Sequence, residues 1–90
     1  MMISRTTTKF KKLFALLPKE IQSQSRKAYK LFLQNSTHPS LHFKRIHQTQ
    51  PVYSIRINLN YRAVGIMKEQ NIVWFWIGTH DEYERLIASF

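Results

Sequence analysis

The sequence predicts a single α+β domain spanning residues 1–90, with two helices on one face of a mainly antiparallel, four- to five-stranded sheet and a short C-terminal helix. Three observations predict it. Residues 52–77 hold three apolar stretches with strand character, separated by short polar turns. Upstream, Phe10, Leu13, Phe14 and Leu17 recur at helical spacing, and Ile21, Ala28 and Phe32 do so again after a proline. Ninety residues leave little room for a second domain, which rarely fits below ~100 residues.

Taken in order, residues 2–6 carry β-branched and polar side chains and read as a brief strand. Thr7 or Thr8 suits the N-cap of the first helix, whose apolar face is Phe10, Leu13, Phe14 and Leu17. Pro18 disfavours helix at Leu17 and fits a first helical turn, so a second helix runs over residues 18–34. The two helices are expected to form an antiparallel hairpin. Residues 35–40 (NSTHPS) form a loop, and residues 41–47 alternate as a strand. Residues 52–59 form a clear strand, with Tyr53, Ile55, Ile57 and Leu59 on one face and Val52, Ser54, Arg56 and Asn58 on the other. Asn60 turns the chain into a strand over residues 61–67, with Arg62, Val64 and Ile66 sharing a face. Residues 68–71 form a hairpin turn without glycine. Residues 72–77 are almost continuously apolar, as befits a strand buried on both faces, and place Trp74 and Trp76 in the core. Gly78 permits a bend, and residues 81–88 form the last helix, with Tyr83, Leu86 and Ile87 packing back. The sheet face away from the helices is expected to stay more open and to present Arg56 and Arg62.

Composition narrows the chemistry. There is no cysteine, which excludes disulfides and thiolate metal or redox sites. No apolar run approaches the ~20 residues of a membrane span, and the first residues lack a signal-peptide pattern, so a cytoplasmic protein without membrane contact is expected. Fourteen Lys and Arg against five Asp and Glu give a net charge of +9, the signature of a chain that binds polyanions. His38, His42 and His47 are scattered without carboxylates at ligand spacing, so no metal site and no cofactor are expected. Glycine-rich phosphate loops, a serine nucleophile elbow and paired catalytic carboxylates are also missing.

The remaining candidate cluster is Arg56, Arg62, His80 and Tyr83. The arginines lie on neighbouring strands joined by a short turn, where both can reach one face. Two guanidiniums side by side suit a phosphate, which each can grip through paired hydrogen bonds. The alternative is a structural ion pair of one of them with Asp81, Glu82 or Glu84. His80 follows Gly78 and Thr79 at the strand end, and Tyr83 comes one helical turn later, so His80 is a candidate proton-transfer group.

The segment YSIRINLNYRAVG, followed by IVWFWIGTHDEYERLI, resembles the C-terminal half of RelE/ParE superfamily toxins of bacterial type II toxin–antitoxin systems. FKKLFALLPKEIQ and HPSLHFKRI resemble the N-terminal half. Arginine on the strand, the Tyr-Arg pair and Ile-Gly-x-His…Tyr occur in the superfamily's order. In its RelE-like branch the resemblance implies a ribosome-dependent, metal-independent mRNA endonuclease that inhibits translation. By position, Arg56, Arg62, His80 and Tyr83 then match catalytic residues and Lys44 an RNA contact. Lys9, Lys11, Lys12, Lys27 and Lys30 would hold ribosomal RNA electrostatically. Ser54 departs from the pattern, since some members carry a lysine there. The implied partners are the ribosome, mRNA and a cognate antitoxin. The alternatives are a ParE-like inhibitor of DNA gyrase, or an inactive member that serves as a binding module.

Overall fold

The computed structural model describes residues 3–90. The chain runs β1 (Ile3–Thr6), α1 (Thr8–Ala15), α2 (Lys19–Gln34), a 3-10 turn (Pro39–Leu41), β2 (Lys44–Arg45), β3 (Val52–Asn58), β4 (Tyr61–Lys68), β5 (Asn71–Thr79) and α3 (His80–Ala88). The strands form one sheet in the order β1-β5-β4-β3-β2. All neighbours are antiparallel except β1, which runs parallel to β5. The expected start of the first strand at Met2 lies outside the described residues. Trp74 Nε1 donates to Ser4 Oγ at 2.9 Å and pins β1 to the sheet.

Helices α1 and α2 cover one face. Thr7 caps α1, its Oγ1 accepting from the Phe10 amide at 3.1 Å. At the other end the Gln22 side-chain amide donates to Phe14 O at 3.2 Å and to Leu17 O at 3.1 Å, adding to the Leu17 amide that already reaches Phe14 O. That bracket, with Arg26 5.1 Å over the Phe14 ring, joins the helices near their turn. A cleft of about 720 Å³ opens between them, floored by Ile55, Ile57, Ala63, Trp74 and Ile77.

The expected strand over residues 41–47 shrinks to Lys44–Arg45. Leu41 closes the 3-10 turn that Pro39 begins, and His42 adopts the left-handed conformation (φ 46°), which ends any extended run there. The alternation of residues 41–47 is therefore not a strand pattern until Lys44.

The sheet is buried on both sides. Toward α1 and α2 lie Phe32, Leu41, Ile55, Ile72, Trp74 and Ile77. Toward α3 lie Val52, Val64, Trp76 and Tyr83. The second face is thus less open than expected, because α3 folds back over it. A β-bulge divides the two tryptophans. The register passes from Val64–Trp76 to Gly65–Trp74, leaving Phe75 as the extra residue. Strict alternation would place both indoles on one face; the bulge sends Trp74 to the helices and Trp76 to α3. Gly65 makes this possible, since a Cβ there would stand 2.8 Å from Trp74 Cε3.

Helix α3 begins at His80, one residue earlier than expected, because Thr79 is its N-cap. Thr79 Oγ1 accepts from the Glu82 amide at 3.2 Å, and Glu82 Oε1 accepts from the Thr79 amide at 3.0 Å. The Thr79 amide, and then its hydroxyl, hold the Glu82 carboxyl below its ordinary pKa. A depressed carboxyl pKa stabilises the fold above the unfolded value of ~4.3, and the contribution is lost as pH falls through the folded value. Thr79→Ala is expected to cost about 1 kcal/mol at neutral pH. In thermal melts the gap to the parent protein should narrow on acidification below ~4.3, modestly because Glu82 is exposed. A gap that widens in acid would contradict the cap.

Candidate functional site

Arg56 and Arg62 stand directly opposite one another on β3 and β4. Directly opposed residues of an antiparallel pair share a face, and like charges so placed repel. This pair lies beside the α3 cluster, on the face away from α1 and α2. The two arginines differ in their commitments. Arg62 Nη1 donates to the carbonyls of Asn58 (2.7 Å), Tyr61 (3.0 Å) and Leu59 (3.3 Å), clamping the hairpin turn. Partial burial, and then the charge of Arg56, lower the Arg62 pKa. Among the described residues half-buried Arg56 has no hydrogen bond and no ion pair, so its donors are available to an anion. Neither arginine pairs with Asp81, Glu82 or Glu84.

His80 arrives beside them through the backbone. Its amide donates to Asn60 O at 2.7 Å, tying the start of α3 to the turn that Arg62 clamps. Its Nε2 lies 3.3 Å from Glu84 Oε1, one turn along the helix. The ring is 43% exposed, open enough to exchange a proton with a substrate.

Tyr83 sits beneath this surface rather than on it. It is 4% exposed, and its hydroxyl lies 3.2 Å from Ser54 Oγ, itself 2% exposed. The His80 and Tyr83 ring centres are 6.0 Å apart. Helical spacing correctly placed the two on one side of α3, but Tyr83 packs into the second core and supports the site from below. Ser54 was placed by its strand on the face of Arg56, but its hydrogen bond with the Tyr83 hydroxyl left no trace in the sequence. Tyr83→Phe is expected to cost about 1–3 kcal/mol by stranding Ser54. The double variant with Ser54→Ala should recover part of that loss in urea unfolding. Strictly additive losses would show that the two hydroxyls do not interact.

Lys44 pairs in register with Ser54, which places it on the same sheet face as the arginines, exposed. Lys9, Lys11, Lys12, Lys27 and Lys30 are all exposed on α1 and α2, the layer on the other side of the sheet. Lys11, Arg26, Lys27 and Lys30 rim the cleft between those helices. The structure thus gathers Arg56, Arg62, His80 and Lys44 on one side and leaves the helical lysines on the helix layer, with Lys27 lining a cleft that Arg56 also lines. Among the described residues no three His, Cys, Asp or Glu are grouped to hold a metal ion, and no helix is long and apolar enough to cross a membrane.

Comparison with known proteins adds the family. A search of curated protein sequences finds no significant match. The fold is similar to that of YafQ from E. coli strain BL21(DE3), at 9% identity, covering 92% of this chain and 98% of that one, with a TM-score of 0.73. It is similar to a chain of the E. coli DinJ-YafQ complex, at 11% identity over 91% and 97% of the chains, TM-score 0.74. It also resembles a chain of the RelB-RelE antitoxin-toxin complex from Methanococcus jannaschii, at 19% identity over 90% and 95%, TM-score 0.68. A family model described as a ParE-like toxin domain matches residues 19–85, more than half of the sequence. The chain therefore belongs to the ParE-like toxin domain family, within the RelE/ParE superfamily of toxins.

Proposed function

We propose that this chain is the toxin of a toxin–antitoxin pair and cleaves mRNA on the ribosome, in the cytoplasm, without a metal ion. The observation that carries the reading is the in-register opposition of Arg56 and Arg62 beside His80. Holding two guanidiniums together is unfavourable unless an anion lies between them, and a phosphodiester meets that need. The substrate is RNA because the ribose 2′-OH is the nucleophile. Its oxygen bonds to the adjacent phosphorus as the bond from phosphorus to O5′ breaks, leaving a 2′,3′-cyclic phosphate and a 5′-hydroxyl. The 2′-OH proton leaves and O5′ gains one. His80 handles the proton transfer, with Glu84 orienting its ring. Arg56 and Arg62 balance charge on the phosphoryl oxygens. Tyr83 and Ser54 hold the surface beneath them. Lys44 and the exposed lysines of α1 and α2 add salt-sensitive attraction to ribosomal RNA, and the ribosome positions the substrate.

An antitoxin partner fits the same reading. The cleft between α1 and α2 offers an apolar floor and a basic rim suited to an acidic amphipathic segment. A second reading, inhibition of DNA gyrase, is favoured by the ParE-like description of the matching family. The deciding experiment incubates purified protein with mRNA, with and without translating ribosomes, beside a gyrase supercoiling assay. Cuts that require ribosomes and end in cyclic phosphate are expected. Inhibited supercoiling with intact mRNA would replace the nuclease with the gyrase inhibitor, and inactivity in both assays would leave a binding module.

A further inference from the structure

Strand β2 pairs only with Tyr53 and Ser54 of β3, so among the described residues no strand covers that edge from Ile55 onward. A second cleft, of about 260 Å³, lies over this bare edge between α2, the 3-10 turn and β3. Leu31 and Ile57 wall it, and Gln24, Lys27, Ser40 and Arg56 supply its polar lining. Arg56 is therefore common to the cleft and to the arginine pair.

The polar groups have assigned directions. Asn58 Nδ2 donates to Gln24 Oε1, which engages the amide oxygen and leaves the N–H groups of this lining residue as its free donors among the described residues. His38 Nδ1 accepts from the Ser40 amide at 3.2 Å and lies 2.8 Å from Ser40 Oγ. A ring nitrogen already accepting from an amide takes the hydroxyl proton as well, so Ser40 Oγ is left as an acceptor. Lys27 is a donor only. The cleft thus presents donors on Gln24 and Lys27 besides those of Arg56, and an acceptor on Ser40, between aliphatic walls.

We propose that this cleft receives the base next to the phosphate held by Arg56 and Arg62, and that it selects a keto-bearing base, guanine or uracil. The proposal rests on the endonuclease reading above. The volume equals that of about nine waters at ~30 Å³ each, the scale of one base rather than of a whole nucleotide chain. Guanine and uracil turn carbonyl oxygens toward Gln24 and Lys27 and a ring N–H toward Ser40. Adenine and cytosine carry an exocyclic amine where the keto bases carry oxygen, which would set donor against donor.

Two measurements test this. The first titrates the protein with 3′-GMP, 3′-UMP, 3′-AMP, 3′-CMP and inorganic phosphate and follows backbone amide NMR shifts. The keto nucleotides are expected to move Leu31 and Leu41 and to bind about fivefold tighter than the other two, the scale of one neutral hydrogen bond. Phosphate alone should move only the surroundings of Arg56 and Arg62. Gln24→Ala and Ser40→Ala should each erase the preference. Equal binding of all four nucleotides, or shifts confined to the arginines, overturns the proposal. The second maps cleavage positions on translating ribosomes. A guanine or uracil preference that collapses in Gln24→Ala supports the proposal. A preference untouched by both variants refutes it while leaving the nuclease intact. Loss of all cleavage in the parent protein would instead sink the nuclease reading, and the nucleotide titration would still judge the cleft.

Discussion

Alanine at Arg56 is expected to lower the single-turnover rate of ribosome-dependent cleavage by roughly 10²–10³-fold, the usual consequence of removing one donor aimed at transition-state charge. Thermal stability should hardly change, because Arg56 makes no hydrogen bond or ion pair among the described residues and its removal relieves repulsion from Arg62. Arg62→Ala should lose activity similarly and, in addition, destabilise the fold by about 1 kcal/mol, since three turn carbonyls lose their donor. Lysine at Arg56 keeps the charge without the planar fork and should restore only part of the rate. On the proposed role of His80 in proton transfer, His80→Ala should cost roughly 10²–10⁴-fold, with a changed pH–rate profile. The decisive comparison is Arg56→Ala measured for rate and melting temperature together. A stable variant with the parental rate would remove Arg56 from the chemistry, and a rate that falls only in step with stability would make it structural.

The face of the arginine pair was legible in the sequence, because the alternation of Tyr53, Ile55 and Ile57 decides which face Arg56 does not occupy. The pairing itself was not: with Asn58 opposite Tyr61 an even ladder would set Ile57 against Arg62, and a register shift between Arg56 and Asn58 brings Arg56 there instead. Other features leave no periodic trace. The bulge at Phe75 adds one residue inside an apolar run in which every position looks buried, so nothing in the residue types marks where Trp74 and Trp76 part company. The depth of Tyr83 depends on that bulge, because Trp76 and Val64 make the bed it enters. Spacing from His80 gives its direction around α3 but not its depth. Residues 41–47 misled for a different reason. Alternation is a side-chain pattern, whereas His42 breaks the strand through its backbone. The cleft over the β3 edge joins α2 to a turn far along the chain, and no local window of sequence brings Gln24 to Ser40.

The other large effect concerns the two tryptophans, which the sequence treats alike and the fold does not. Trp74→Ala is expected to cost about 3–5 kcal/mol. The indole is 2% exposed, meets Phe32 edge-on at 5.3 Å between ring centres, and donates to Ser4. Against a total stability of roughly 5–10 kcal/mol for a small domain, that loss approaches unfolding. Trp74→Phe, which keeps an aromatic ring and drops the bond to Ser4, provides a measurable step between the two. Trp76→Ala should cost less, because its cluster is smaller and the ring is 9% exposed at the margin under α3. Its consequence should fall on the site. With Trp76 gone, Tyr83 loses its neighbour at 6.5 Å, and the platform beneath His80 loosens. Urea unfolding and single-turnover cleavage, measured on both variants, separate these roles. Trp74→Phe should retain cleavage in proportion to the folded fraction, whereas Trp76→Ala should lose cleavage beyond it. Equal stability losses at the two positions, or a Trp76 variant whose activity tracks its folded fraction, would mean that the bulge does not assign one core to the fold and the other to the site.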